Sequence, residues 1–253
     1  MHLALFVTDL DNTLVGEDAA MVALSQHLRR WQQAGHTKVV YSTGRSLPRY
    51  EALRQEKSLL TPDALVTAVG TEIYDPVTSP PDSGWAEVIS PGWDQERVAA
   101  IGRQFAALVP QPDTEQRPFK VSYCLPEDLA PPLLSQLEQR LREAGLSTQL
   151  VYSGGQDLDV LPATANKGAA LAYLQQKWGI SPAETLVCGD SGNDRALFSQ
   201  GEERGIVVGN ARPELLQWHQ AHPSPHRYLA QGRCASGILE GLAHFGLLDT
   251  AQY

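Results

Sequence analysis

Leu3-Ala4-Leu5-Phe6-Val7-Thr8-Asp9-Leu10-Asp11-Asn12-Thr13-Leu14-Val15 is the stretch on which the reading of the chain turns. A continuous aliphatic run bounded by polar turn formers predicts a strand buried on both faces of a parallel sheet. Ligands of open α/β sheets collect beyond the carboxyl ends of the strands, and there the chain sets Asp9 and Asp11 one residue apart. Two ionised carboxylates so close cannot be buried and idle, because they require a cation or a proton.

Outward from this strand, Met21, Leu24, Leu28 and Trp31 recur at helical spacing over 19–34 and stop at Gly35. A second apolar strand is expected over 38–42, followed by Thr43-Gly44-Arg45 and a helix over 48–57 with Ser46 available as its cap. A third strand over 64–69 leads into Gly70-Thr71-Glu72. Strands alternating with helices predict βαβ units and a right-handed parallel sheet.

Between 75 and 93 the crowding of Pro76, Pro80, Pro81, Gly84, Pro91 and Gly92 reads as a domain junction. A helix over 94–108, a strand over 119–125, a helix opened by Pro131-Pro132 and a strand over 148–152 follow. Alternation on these strands predicts a smaller α/β unit with a mostly antiparallel sheet. The run Asp157-Leu158-Asp159-Val160-Leu161-Pro162 closes that unit. The first rhythm then resumes with a helix over 167–178, strands over 185–188 and 205–208, a Pro213-led helix and a last helix over 236–245. The expected architecture is a Rossmann-like α/β core of residues 1–77 and 160–253 with an inserted unit of residues 78–159.

The 253 residues, 42% of them apolar, are enough for a sizeable core. A formal net charge of −9 argues against nucleic acid or an anionic membrane as partner, and means that a phosphate ligand would need a metal or local basic groups. Cys124, Cys188 and Cys234 are odd in number and lack metal-ligand spacing, which suits free thiols in a reducing compartment. The start lacks a basic leader and a long apolar segment, so a cytoplasmic protein is expected. Trp218, His219, His222, His226 and His244 show no metal-site spacing.

Polar groups come to element ends in four places: Asp9 with Asp11, Thr43, Lys167, and the run Gly189-Asp190-Ser191-Gly192-Asn193-Asp194. Acids of this set can hold a hard divalent cation such as Mg²⁺, while a lysine and a threonine hydroxyl can meet phosphoryl oxygens. Taken singly each has an ordinary explanation. Asp-x-Asp can be a helix cap with a surface charge, Thr43-Gly44 a strand-to-helix turn, and Lys167 a solvated residue, although a lysine in a helix's first turn opposes the dipole. Together they supply a carboxylate nucleophile, a metal site and a proton carrier, which is what phosphoryl transfer to an aspartate requires.

In order and spacing, Asp9-Leu10-Asp11-Asn12-Thr13, Ser42-Thr43-Gly44-Arg45, Lys167 and the Gly189 to Asp194 run resemble the four motifs of the haloacid dehalogenase superfamily of phosphatases. The insertion resembles the α/β cap of its sugar-phosphatase branches. Thr67-Ala68-Val69-Gly70-Thr71-Glu72-Ile73-Tyr74, Ser153-Gly154-Gly155-Gln156-Asp157-Leu158-Asp159 and Asn166-Lys167-Gly168 make the chain most similar to the cyanobacterial sucrose-phosphate phosphatases. The resemblance implies that Asp9 is the nucleophile, that Asp11 is acid and then base, and that Thr43 and Lys167 stabilise the phosphoryl group. It implies a Mg²⁺ held by Asp9, Asp190 and the Asp11 backbone carbonyl, supported by Ser191, Asn193, Asp194 and Gly44. Superfamily phosphomutases share these motifs. Arg45 has two readings, a contact with phosphate or a clamp on the acids, beside a role in the helix turn.

Lys120, Ser153, Gln156, Asp157 and Asp159 offer donors and acceptors suited to sugar hydroxyls, and the resemblance adds Gly70, Thr71, Glu72 and Asn166 at the mouth of the core. It further implies a monomer acting on sucrose 6-phosphate, and leaves room for association with sucrose-phosphate synthase. Phosphatases of mannosyl-3-phosphoglycerate, trehalose 6-phosphate or hexose phosphates are the enzymatic alternative, and a non-catalytic sugar-sensing module the alternative of another class.

Overall fold

The computed structural model describes residues 3–248. The chain opens with β1 (Leu5–Thr8), α1 (Asp18–Gln33), β2 (Lys38–Ser42), α2 (Leu47–Lys57) and β3 (Ala64–Thr67), followed by the short β4 (Glu72–Tyr74) and α3 (Ser83–Ile89). The inserted unit comprises α4 (Gln95–Gly102), β5 (Val109–Pro110), β6 (Val121–Cys124), α5 (Ala130–Glu143), β7 (Thr148–Ser153) and β8 (Asp157–Pro162). The chain then returns through α6 (Lys167–Trp178), β9 (Thr185–Gly189), β10 (Arg204–Val207), α7 (Pro213–Ala221), β11 (Arg227–Leu229) and α8 (Cys234–His244).

Among the described residues, the strands form a seven-stranded sheet ordered β11-β10-β9-β1-β2-β3-β4 and a four-stranded sheet ordered β5-β6-β8-β7. The large sheet is parallel except for β4, which pairs antiparallel with β3, and the small sheet is antiparallel throughout. The α/β class expected from the apolar runs is therefore observed. Alternation along β1 explains the layering: Phe6 packs with Leu24, Leu28, Ile238 and Leu242 on one face, while Leu5 and Val7 pack with Leu171, Leu174 and Val187 on the other.

The proline-rich stretch holds a helix that the residue reading did not expect. Its prolines fall outside 83–89, and Asp82 caps α3 by accepting a bond from the Trp85 backbone N–H at 2.9 Å. Trp85 and Ile89 pack against Leu5, Val7 and Ala170, so α3 lies on the main sheet. Likewise 157–162, read as a closing run, is a full strand paired on both sides. The helix expected over 94–108 ends at Gly102, because residues beyond it turn toward β5.

In the inserted unit a period of two divides the labour of the strands. Val121, Tyr123, Leu158 and Val160 pack under α4 and α5, together with Leu137 and Leu141. The alternate residues Ser122, Asp157 and Asp159 face the other way, toward the carboxyl ends of the large sheet.

Candidate active site

β1 and β9 are adjacent, with Thr8 opposite Cys188, so their ends bring Asp9 and Asp190 side by side. Lys167 opens α6, where Asn166 supplies the cap by accepting from the Ala169 N–H at 2.8 Å. The Lys167 ammonium is fully buried and donates to Asp9 Oδ1 and Asp194 Oδ1, both at 2.7 Å. These two partners meet the cost of a buried cation in the first turn of a helix. Asp194 Oδ2 accepts the backbone N–H groups of Asp190 and Ser191 at 3.0 and 3.1 Å. Asp194 thereby shapes the turn that carries Asp190, whose Oδ1 also accepts from Thr13 Oγ1 at 3.1 Å.

Carboxylate oxygens of Asp9, Asp190 and Asp194 lie within 4.8 Å of one another. Burial pushes the Asp9 carboxyl well above its ordinary range, against the opposing pull of Lys167 and with a further push from Asp194. Asp190 is raised in the same direction by burial and by Asp9. Lys167 is held above the usual lysine range because Asp194 and Asp9 outweigh the effect of its burial. A buried set of hard oxygen donors carrying excess negative charge is what a small divalent cation such as Mg²⁺ fits.

Asp11 stands apart from that cluster. Arg45 clamps it by two parallel bonds, Nε to Oδ2 and Nη2 to Oδ1, both at 2.7 Å. Of the readings open for Arg45, the structure displays the clamp. Thr43 is buried and its Oγ1 accepts the Arg45 N–H at 3.1 Å, which fixes the loop between β2 and α2.

Above these groups lies a cavity of about 260 Å³. The core contributes Asp9, Asp11, Gly44, Arg45, Asp190, Ser191 and Asn193 to its wall, and the inserted unit contributes Lys120, Ser153, Asp157 and Asp159. Lys120 is 2% exposed and sits 3.3 Å from Asp159 Oδ1, which also accepts from Ser122 Oγ at 2.6 Å. Burial, and after it Asp159, raises the Asp157 carboxyl above its ordinary range, and Asp157 accepts from Gln111 Nε2 at 2.9 Å.

Other expected sugar contacts lie off this wall. Gly70 has φ +97° and its backbone abuts that of Asn166 and Lys167, so no side chain fits there. Thr71 Oγ1 donates to the Ala68 carbonyl at 2.9 Å. Glu72 is buried against Thr67, Tyr74 and Arg117. Gln156 sits at the β7–β8 hairpin tip, and Asn166 lines a neighbouring crevice with Asn193. Residue reasoning did not single out Asn12, Arg49, Gln111, Glu115 and Arg212, which also line the cavity.

The family model described as sucrose-6F-phosphate phosphohydrolase matches residues 2–246. The chain belongs to the sucrose-6F-phosphate phosphohydrolase family. Sucrose-phosphatase 1 of Nicotiana tabacum is 43% identical over 251 residues, 96% of this chain and 59% of that protein. The chain thus spans about three fifths of the length of the curated plant relatives it matches. Mannosylfructose-phosphate phosphatase of Agrobacterium fabrum is 34% identical and aligned over 97% of this chain and 98% of its own. The X-ray structure of the sucrose-phosphatase from Synechocystis in complex with sucrose and phosphate superposes with a TM-score of 0.91 at 42% identity, covering 98% of this chain and all of that one. The haloacid dehalogenase fold expected from the motifs extends to a subclass IIB sugar phosphatase, BT4131, at a TM-score of 0.66 and 16% identity.

Proposed function

We propose that this member of the family hydrolyses sucrose 6-phosphate to sucrose and phosphate through an aspartyl phosphate on Asp9, with Mg²⁺ as cofactor. The observation that carries the reading is the Asp9–Lys167–Asp194 arrangement at the β1 end, roofed by a polar sheet face. It is supported by the family match and by the likeness to a relative crystallised with sucrose and phosphate.

Asp9 attacks phosphorus, and the bond between phosphorus and the sugar oxygen breaks. Asp11 hands a proton to that leaving oxygen and later takes one from the water that attacks the phosphoryl group, releasing Asp9. Arg45 takes one lone pair on each oxygen of Asp11, which leaves the other lone pairs to carry the proton in either transfer. Lys167, Thr43 and the backbone of Gly44 stabilise the equatorial charge. Asp9, Asp190 and the Asp11 carbonyl would hold the metal, with Asp194, Asn193 and Ser191 behind them. Bound there, the ion neutralises charge on the phosphoryl group.

Lys120, Asp157, Asp159 and Ser153 meet the sugar hydroxyls from the cap, while Gly70 acts by placing Lys167 and Glu72 by holding the cap. The cap, expected over residues 78–159, is read as the specificity unit and taken to run from α4 to β8, since α3 packs on the main sheet and β8 extends to Pro162. A monomeric cytoplasmic protein, able to associate with sucrose-phosphate synthase, completes the proposal. Among the described residues no helix is long and apolar enough to cross a membrane.

A neighbouring substrate is favoured by one observation, the end-to-end alignment with mannosylfructose-phosphate phosphatase. Phosphate release from sucrose 6-phosphate, mannosylfructose phosphate, trehalose 6-phosphate and glucose 6-phosphate, with Mg²⁺ and with EDTA, decides. Highest kcat/KM on sucrose 6-phosphate and loss in EDTA are expected. Release from none of the four would refute the reading.

A further inference from the structure

The cap loop from Glu115 to Lys120 is short, tightly closed and unusually charged. Arg117 and Lys120 exchange both backbone bonds, at 2.9 and 3.0 Å, which makes the loop a small hairpin of its own. It reaches the core at two separate places. Glu115 is 2% exposed, and its Oε1 accepts from Ser46 Oγ at 2.8 Å. Ser46 immediately follows the Thr43-Gly44-Arg45 loop. As the residue ahead of α2 it was expected to cap that helix, yet its side chain makes no capping bond and is spent on the cap instead. Glu115 Oε2 lies 3.5 Å from Lys120 Nζ. At the second place Arg117 Nε donates to Glu72 Oε1 at 2.7 Å, and Glu72 is itself fixed by Thr67 Oγ1 at 3.0 Å and the Tyr74 hydroxyl at 2.9 Å.

Burying Ser46, Glu72 and Glu115 is costly unless each keeps its partners, and the Ser46–Glu115 bond, the one side-chain bond described for the Ser46 hydroxyl, exists only when cap and core are apposed, whereas Glu115 Oε2 keeps Lys120 within the cap. We propose that this loop is the coupling finger of the enzyme, in which Glu115 and Arg117 are positioning residues. Its two grips set the docked position of the cap, swing Lys120 over the cavity and lock the phosphate-binding loop through Ser46. Sugar recognition and phosphoryl stabilisation are thereby tied to one event. The kinetic part of this inference rests on the proposed sugar-phosphatase activity.

The test uses Arg117→Gln and Ser46→Ala in the full chain. Hydrogen–deuterium exchange is measured first, without substrate. Arg117→Gln should speed exchange over 115–122 and also over 43–47, a segment that Arg117 does not touch in any bond described above. A purely local role would leave 43–47 unchanged, and that result would overturn the proposal. Kinetically, each variant should lose about tenfold in kcat/KM on sucrose 6-phosphate, the size of one modest interaction. Turnover of p-nitrophenyl phosphate, a small ester that needs no sugar contact but uses the same phosphate-binding loop, should fall by a smaller factor, about threefold. Arg117→Lys, which keeps the cation, should recover part of the loss. Equal losses on both substrates would refute the coupling. A wild-type protein that cleaves p-nitrophenyl phosphate but not sucrose 6-phosphate would sink the assigned substrate, while the exchange result would still judge the finger.

Discussion

Lys167 carries the strictest requirement of any residue in the site, since its ammonium is wholly buried between two carboxylates. Lys167→Met removes a charge of one sign and leaves two of the other, so it should cost about 3–5 kcal/mol of stability. Calorimetry in EDTA would read this as a lower Tm, alongside loss of phosphate release. Gly70 constrains the same lysine from outside the cavity. Its positive φ and the adjacent backbone of Asn166 and Lys167 exclude a Cβ, and Trp85 Nε1 fixes its carbonyl at 3.0 Å. Gly70→Ala should therefore lower kcat by about a hundredfold through misplacement, with a smaller change in KM. An unchanged kcat would show that Lys167 does not depend on this contact. At this scale Asp9 and Lys167 were legible because an acid at a buried strand end and a lysine against a helix dipole both demand partners. Glu115 was not, since a lone glutamate in a loop has no pattern until the fold sets Ser46 opposite it.

Elements with strong periodicity were readable in advance. β1, β2, β3 and β9 are mostly aliphatic runs in the interior of the large sheet, with their polar residues confined to the strand ends. β4 and β11 have three residues each and lie at the sheet edges, too short for a pattern. β8 was obscured by Gly154-Gly155, although its Asp-Leu-Asp-Val alternation matches the two faces it presents. The register of β1 on β9 has a thermodynamic consequence, because it places Asp9 beside Asp190. Both carboxyls are raised from 3.8, to about 7 and about 8, so the folded protein binds protons more tightly than the unfolded chain. Their contribution to stability is present below about pH 4 and is lost as pH rises through about 7 to 8 in metal-free protein. A divalent cation offsets that loss. The Tm increment produced by Mg²⁺ should thus be larger at pH 8 than at pH 5.5, and an increment independent of pH would contradict a metal site built on Asp9 and Asp190.

For the molecule as a whole, the division into a seven-stranded and a four-stranded unit was visible as an interruption of the βαβ rhythm. The docking of the two was not, because Glu72–Arg117 and Ser46–Glu115 join residues 45 and 69 positions apart. For the proposed reaction a chain with net charge −9 has to draw a phosphate ester to its cavity, and Arg45, Arg49 and Arg212 on the wall supply local positive charge. Arg212→Gln should reduce kcat/KM by about threefold at low ionic strength and by less at high salt, as expected for a screened interaction. Steady-state assays across a salt series check this.

In the proposed reaction Asp9 takes the phosphoryl group from sucrose 6-phosphate. Acid quench of a single turnover with Mg²⁺, followed by peptide mass spectrometry, tests it directly. A phosphoryl adduct on the peptide bearing Asp9, absent in Asp9→Asn, is the predicted result. Phosphate release by the Asp9→Asn protein at the wild-type rate, or an adduct on a different residue, would contradict it.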